Sequence, residues 1–164
     1  MSYVRPRILR TEYTLPWSPT DRDILMDRRP VYDPDADQVV GVVERWNLPH
    51  ELSPILGVSM GWGGDVAGGL VAALNILDCW LPAGPGDVCV YYGVPVPCRQ
   101  LALDLMPAFR AAHLLPLGWH GGVIPGGRIG QWIAHHRGAY ELEGIDLAAV
   151  DDGRYPDPDG SFGG

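Results

Sequence analysis

The sequence predicts an α+β domain in which two or three short antiparallel strands pack against three helices, flanked by an irregular N-terminal arm and an acidic C-terminal tail. Three observations favour this class. The β-branched and apolar runs at Val39–Val43 and Ile55–Met60 are bounded by turn residues, as strands usually are. Apolar residues recur every three to four positions after Asp65, which indicates a helix. The 22 glycines and 16 prolines concentrate between such segments, which indicates long irregular connections.

A length of 164 residues favours one domain. We place it at residues 39–146, after an irregular arm over residues 1–38 and before a tail over residues 147–164. In the arm we expect only a short strand at Val4–Arg10 and a helical turn over residues 20–28. The tail is acidic and rich in proline and glycine, so it has little apolar surface to bury and is predicted to be disordered.

The helix after Asp65 has the clearest local pattern. Asp65 is a good N-cap residue, because its carboxylate can accept hydrogen bonds from the amides of the first turn. Gly68 and Gly69 each weaken the helix by about 1 kcal/mol relative to alanine, which is tolerable if another backbone approaches there. Pro82 ends the helix. Its apolar face consists of Val66, Leu70, Ala73, Leu74, Leu77 and Leu81. The two strands that precede it are expected to pair antiparallel.

The remaining elements follow the same rules. We expect a strand at Val88–Tyr92, a reversal at Gly93–Pro97, helices at Arg99–Leu115 and Arg128–His136 joined by a loop at Leu117–Gly127, and a brief segment at Glu141–Asp146. Pro107 lies inside the first of these helices. Because proline removes one backbone hydrogen bond, this helix is predicted to kink or to split there.

Charge limits the classes of partner. The net charge is −8, and all 12 basic residues are arginines. Residues 52–140 carry four acidic and four basic residues, whereas residues 141–164 carry seven acidic residues and one arginine. A neutral centre with an acidic end lacks the basic surface that nucleic-acid binding requires. We find no signal peptide and no apolar run of membrane-spanning length, so we expect a cytoplasmic protein.

The cysteines and histidines match no known catalytic or metal-binding motif. Cys79, Cys89 and Cys98 are odd in number and lack the close pairs of a zinc knuckle. A zinc site that combines two cysteines with His113 or His120 stays open as an alternative. We predict no catalytic residues, no metal ligands and no cofactor.

The glycine-rich turn that precedes the first helix is the best candidate for a ligand site. Backbone amides at a helix start favour anions. However, the turn is neither a P-loop nor a dinucleotide fingerprint, and Asp65 would repel phosphate. The preferred interpretation of the glycines is structural, since they permit positive φ and close packing of Trp62. The candidate ligand-binding residues are Trp62, Gly63, Gly64, Asp65 and His120.

Trp17 is the candidate partner-binding residue. It lies in a charged, proline-rich stretch that offers little local apolar cover. Tryptophan is enriched among the residues that dominate protein–protein binding. The alternative is that the arm folds back over the indole and covers it.

Several of these features together resemble a family of small bacterial and phage proteins described only as a domain of unknown function. Its pattern is an apolar strand, a Gly-Tyr-Gly-Gly-Ser-Gly-Pro-like turn, an Ala/Leu-rich helix, a helix with a central phenylalanine and a short helix containing tryptophan. The matching positions are Ser53-Pro54, Gly57, Gly61–Gly64, Leu70–Asp78, Phe109 and Ile129–Ile133. The departures are Trp62 for tyrosine, Asp65 for serine, Ala67 and Gly69 for the following proline and glutamine, and an apparent insertion over residues 82–98. The resemblance implies an architecture and a mobile-element setting, but no reaction.

These observations lead to three hypotheses for function. The preferred one is a non-enzymatic accessory protein of a phage or mobile element that binds another protein through its arm and exposed tryptophans. The second is a binding protein for a nucleotide-like small molecule that uses the glycine turn. The third is a virion or assembly component, which the proline-rich arm and acidic tail would suit.

Overall fold

The computed structural model describes residues 7–17 and 21–142 and has the predicted α+β class. Its strands are β1 Ile8–Glu12, β2 Ile24–Asp33, β3 Gln38–Trp46, β4 Cys89–Tyr91, β5 Val94–Val96 and β6 Gly121–Ile124. Its helices are α1 Val66–Trp80, α2 Gln100–Phe109 and α3 Gly126–Leu142. The described part of the chain thus contains six strands and three helices, more strands than the sequence predicted.

A four-stranded sheet in the order β1-β3-β2-β6 forms one layer. β2 pairs antiparallel with both β3 and β6, whereas β1 pairs parallel with β3. β4 and β5 form a separate antiparallel hairpin. Buried apolar side chains of the sheet and the helices form one continuous core, whose largest fully buried members include Trp46, Phe109, Ile24, Met26 and Leu74.

Two predictions in the first third of the chain are wrong. Residues 21–28 form no helical turn, because β2 begins at Ile24. The arm predicted over residues 1–38, for which one short strand was expected, contains two strands, β1 and β2, among its described residues. In β2, Ile24 and Met26 alternate with less buried residues, and the strand is paired on both sides. The alternation was short and the pairing with β6 is long-range, so a local pattern did not reveal the strand.

The strand predicted at Ile55–Met60, and its antiparallel pairing with Val39–Arg45, are also wrong. This segment is irregular and includes a turn in which Val58 donates its N–H to the Ile55 carbonyl at 3.3 Å. Gly57 has φ +78°, a left-handed conformation that interrupts an extended strand. The predicted strand at Val39–Val43 is confirmed within β3, but its partners are β1 and β2.

The predicted cap and end of α1 are confirmed. The Gly68 amide donates to the Asp65 carboxylate at 3.0 Å, and the helix ends at Trp80, before Pro82. The side chain of Asn75, inside α1, accepts hydrogen bonds from the amides of Glu51 and Leu52 at 2.9 and 2.8 Å. This buried amide group fixes the irregular segment that leads to the glycine turn.

Helix α2 passes through Pro107 without splitting. It continues into a π-helical turn over Arg110–Leu114, in which the Leu115 amide donates to the Arg110 carbonyl at 2.9 Å. Proline cannot donate in the helical ladder, and one wider turn is a common adjustment to such a defect. The predicted extent of the helix is therefore confirmed, with the distortion placed after the proline.

The C-terminal part differs in detail. The predicted loop at Leu117–Gly127 contains β6, and the final helix extends from Gly126 to Leu142 instead of ending at His136. Three predicted segments lie wholly or partly outside the described residues: most of Glu141–Asp146, the tail at 147–164, and the first part of the strand at Val4–Arg10. Among the described helices, none combines the length and apolarity needed to cross a membrane.

Candidate functional site

A buried ion pair crosses the sheet next to the glycine turn. Arg28 of β2 lies opposite Glu44 of β3 in the strand register. Its Nε and Nη2 atoms donate to Glu44 Oε2 at 2.9 and 2.8 Å. Glu44 is only 4% exposed. Burial raises the pKa of Glu44 although the bonds and charge of Arg28 lower it, and the nearby negative charge of Asp65 adds to the increase.

The Arg28 guanidinium also contacts two indoles. Its Cζ atom lies 4.4 Å from the ring centroid of Trp62 and 4.9 Å from that of Trp119. Arg28 Nη1 donates to the Trp119 carbonyl at 2.9 Å. The planar cation thus joins the sheet to the glycine turn and to the loop before β6. Its weakly hydrated, delocalised charge suits this stacked position, which a lysine ammonium would not fill.

The glycine turn is held in place by bonds to the end of the α2 π-turn and the following loop. The Gly63 amide donates to the Leu114 carbonyl at 2.9 Å, and Trp62 Nε1 donates to the Gly118 carbonyl at 2.9 Å. Arg110 Nη2 donates to the Gly63 carbonyl at 3.2 Å. Gly63 has φ +66°, so a residue with a side chain would be strained in this position.

These parts enclose a cleft of about 380 Å³, which we call the indole cleft. It is lined by Arg28, Trp62, Gly63, Gly64, Asp65, Leu117, Gly118 and Trp119. Four of the five predicted ligand-binding residues therefore lie together around one cleft. The fifth, His120, is not among the lining residues. It is exposed, and its ring packs edge-on against Trp119 with centroids 5.1 Å apart.

Two glycines make room for the Asp65 carboxylate. A Cβ atom at Gly61 or at Gly68 would clash with Asp65 Oδ2. The Gly61 amide also donates to the Gly68 carbonyl at 2.9 Å, which closes the turn onto the first turn of α1. The glycine-rich sequence therefore has a packing role, in addition to any role in binding.

Sequence reasoning missed Arg28 and Glu44. Arg28 was placed at the end of a helical turn, where it had no predicted partner. Glu44 carried a signal, since it is a lone carboxylate inside a strand of valines. A charge in such a strand is expected to be buried with an opposite charge. Nothing local identified Arg28 as that charge, because the two residues meet through strand pairing.

Trp17, the predicted partner-binding residue, is 39% exposed. It borders a small recess of about 230 Å³ between the arm, the chain after β3 and α1. The recess is lined by Trp17, Asn47, Leu48, Pro49, Glu51, Asn75, Asp78 and Cys79. The arm therefore returns to the domain but leaves part of the indole open to solvent.

The histidines and cysteines lie in separate surroundings. His113 stacks on Phe109 with centroids 4.4 Å apart and meets the edge of Trp132, and His136 stacks on Trp132 at 3.9 Å. Cys89 Sγ donates to the Cys98 carbonyl at 3.1 Å inside the β4–β5 region. No group of three or more potential metal-binding side chains occurs among the described residues.

Burial also perturbs the thiol of Cys79. It raises the pKa of Cys79 to about 11, so the thiolate, which is the nucleophilic form, is a minor species at neutral pH. Cys79 is therefore a weak nucleophile near neutral pH.

Comparison of this chain with protein families, with curated proteins and with solved structures finds no match.

The Arg28–Glu44 pair leads to a first prediction. Arg28→Met should lower the free energy of unfolding by about 3 kcal/mol or more, because it leaves the Glu44 carboxylate buried without a cation. Urea denaturation measures the change. The double variant Arg28→Met/Glu44→Leu should recover much of the loss. Arg29→Met, at the exposed neighbouring position, is the matched control; equal losses in the two single variants would contradict the prediction.

The position of His113 leads to a second prediction. Burial lowers the pKa of His113 below its ordinary value of about 6.5, and the positive charges of Arg128 and His136 act in the same direction. The unfolded chain therefore binds more protons near pH 6, so the free energy of unfolding should fall as the pH drops below about 6.5. His113→Phe should reduce this slope between pH 7.5 and 5.5, whereas His135→Gln, at an exposed position, should not. Parallel slopes for wild type and His113→Phe would refute it.

Proposed function

We propose that this chain is a non-enzymatic binding protein whose indole cleft holds a small, flat ligand that carries hydrogen-bond donors. The observation behind this proposal is the convergence of Trp62, Trp119, Arg28 and Asp65 around one cleft of about 380 Å³. That volume falls in the range of small-molecule sites.

The rigidity of the walls supports this function. Arg28 makes three hydrogen bonds, and Trp62 is 2% exposed with its indole nitrogen bonded to the Gly118 carbonyl. A ligand that enters the cleft would immobilise few additional side chains. Binding to a preorganised site loses less conformational entropy, so a modest contact area can give useful affinity.

The charges of the cleft favour one ligand class. The Glu44 carboxylate balances the Arg28 guanidinium, while Asp65 adds a negative charge at the rim. Phosphate would be repelled there, whereas amino and hydroxyl groups could donate to the carboxylate. Trp119 offers an aromatic face for stacking. A nucleoside-like heterocycle without a required phosphate fits this combination best.

The cellular setting forms part of the proposal. The resemblance of the glycine turn and the following helices implies an accessory protein of a phage or mobile element. The same resemblance implies a bacterial host, and the sequence leads us to expect a cytoplasmic location there. In that setting, a small domain can act by sequestering or sensing a metabolite without chemical turnover.

A third prediction tests the ligand. Thermal unfolding of the full chain is measured against a panel of nucleosides, nucleotides and free bases. A ligand at 100 times its dissociation constant should stabilise the protein by about 2.7 kcal/mol, which gives a clear increase in the unfolding temperature. A nucleoside should act at least as strongly as its monophosphate.

The controls are alanine variants of two tryptophans, one that lines the indole cleft and one that does not. Trp119→Ala should abolish the ligand-induced increase, because it removes the stacking face of the indole cleft. Trp17→Ala is the matched control and should keep it. A flat response across the panel, or an unchanged response of Trp119→Ala, would reject the indole cleft as the binding site.

A second candidate function is protein binding through the arm. Several large apolar side chains of the arm are well exposed, and Trp17 borders an apolar recess. The exposed members are Ile8, Leu9, Tyr13 and Trp17. Tryptophan is enriched among the residues that dominate protein–protein binding, so a partially exposed indole beside an apolar recess suits an interface anchor.

A fourth prediction tests this candidate. Immobilised full-length protein should capture a host protein that is lost with Trp17→Ala and retained with Trp119→Ala. The expected loss is large, because an anchor tryptophan contributes about 2 kcal/mol or more to binding. Capture that is equal for wild type and Trp17→Ala would assign the contact to another surface.

A further inference from the structure

The β4–β5 hairpin brings two free thiols together. Cys89 begins β4 and pairs with Val96 of β5, and Cys98 follows two residues later. The Cys98 amide donates to the Val96 carbonyl at 2.9 Å, which makes a tight turn directly after β5. Cys89 Sγ reaches the Cys98 carbonyl at 3.1 Å, although the two residues are nine positions apart in the chain. Strand pairing and the turn therefore place one cysteine against the other.

The two thiols act on each other. A hydrogen bond with Cys98 lowers the pKa of Cys89, although burial and the negative charges of Asp104 and Asp87 raise it. The same bond, together with burial, raises the pKa of Cys98. One thiol of such a pair loses its proton readily because the other stabilises the thiolate and keeps its own proton. Cys89 is 8% exposed and Cys98 is 0% exposed, so Cys89 is the thiol that ionises.

Cys79 provides an internal reference for this pair. Its Sγ donates to the Asn75 carbonyl at 3.5 Å within α1, and burial raises its pKa to about 11. A thiol with an ordinary pKa has a thiolate fraction at neutral pH that is larger by about two orders of magnitude. The described chain thus holds one unreactive thiol and one pair with the chemistry of a nucleophile and its neighbour.

The hairpin gives access to Cys89. Strands β4 and β5 have three residues each and, among the described residues, they pair only with each other. Two-stranded hairpins of this length are marginally stable and open locally. The neighbours of Cys89 in the chain, Val88 and Val90, are 60% and 66% exposed. A small molecule can therefore reach Cys89 when this edge opens, without unfolding of the core.

We propose that Cys89 and Cys98 form a thiol–disulfide exchange site for small organic disulfides that are uncharged or cationic. Cys89 is the attacking thiol, and the fully buried Cys98 resolves the product of the first step. The negative charges of Asp87 and Asp104 act on Cys89, so an anionic disulfide would be repelled there. Neither cysteine lines the indole cleft or the recess beside Trp17, so this site is independent of both proposed binding surfaces.

The reaction takes place in two exchange steps. The Cys89 thiolate attacks one sulfur of the small disulfide, which forms a mixed disulfide and releases the first small thiolate. Cys98 then loses its proton, and its sulfur attacks the Cys89 sulfur, which forms the Cys89–Cys98 bond and releases the second small thiolate. Two electrons pass from the protein to the small disulfide. The two protons of the cysteines end on the two released thiols.

The fifth prediction is tested on the reduced full chain, treated at neutral pH with cystamine, a dicationic disulfide. Alkylation after denaturation should show that the number of free thiols falls from three to one, and peptide mapping should identify a Cys89–Cys98 link. Glutathione disulfide, which carries a net negative charge, should react more slowly. Cysteamine, the thiol that corresponds to cystamine, should leave the number of free thiols unchanged.

Amide hydrogen exchange measures what the new bond does to the fold. The link closes the loop between Cys89 and Cys98 and restricts local opening of the hairpin. Exchange of the amides of residues 89–96 should therefore slow by about tenfold or more, whereas exchange in α1 should stay unchanged.

Three variants separate the roles of the thiols. Cys98→Ala should stop at a stable mixed disulfide on Cys89, because the resolving thiol is missing. Cys89→Ala should react about tenfold more slowly or less, because Cys98 is fully buried and keeps its proton. Cys79→Ala is the matched control and should form the Cys89–Cys98 link at the rate of the wild type.

Four results would overturn the proposal. The first two are retention of three free thiols by the wild type and a link that includes Cys79; both are read without any variant. The third is an equal rate for Cys89→Ala and Cys79→Ala. The fourth is a faster reaction with glutathione disulfide than with cystamine, which would reject the stated class of disulfide. None of these results bears on the thermal-shift response of the indole cleft, so the two proposals fail independently.

Discussion

The contact on which the rest of the site depends is the bond between the Arg28 guanidinium and the Glu44 carboxylate. It joins two neighbouring strands in the interior, where neither charge would be stable alone. Because the guanidinium also stacks on Trp62 and bonds to the backbone at Trp119, one side chain positions three separate segments of the chain. The sheet therefore determines where the two loops lie, and the space left between them is the indole cleft.

The glycines around Asp65 show how packing overrides local preference. Gly68 and Gly69 reduce the intrinsic stability of α1. Each of these glycines leaves space for a neighbouring side chain. A Cβ atom at Gly68 would clash with the Asp65 carboxylate, and one at Gly69 would lie 2.8 Å from Arg110 Nε. Close approach of Arg110 in turn allows its bond to Gly63. The loss in helix propensity thus permits a tightly fastened turn, with the Asp65 carboxylate in the lining of the indole cleft.

Sequence reasoning succeeded for elements that depend on contacts between near neighbours in the chain, and it failed for elements that depend on distant residues. The start of α1 at Asp65, and its end before Pro82, rest on contacts between residues three or four positions apart, and they were predictable. The strands β2 and β6 were not predictable. β6 is only four residues long and contains two glycines, and it is stabilised by pairing with Met26 and its neighbours in β2. The same limit applies to the site. Trp62 through Asp65 stood out as a local pattern, whereas Arg28 reaches them only through the sheet.

The order of strands has a consequence for how this chain is made. Ile24 in β2 pairs with Ile124 in β6, and one hundred peptide bonds separate the two residues along the chain. A ribosome releases β2 and β3 early, and the hairpin they form has one unpaired edge until β6 emerges. An unpaired strand edge is a template for association with other chains. Newly made chains are therefore open to mispairing at the free edge of β2 until β6 has been synthesised.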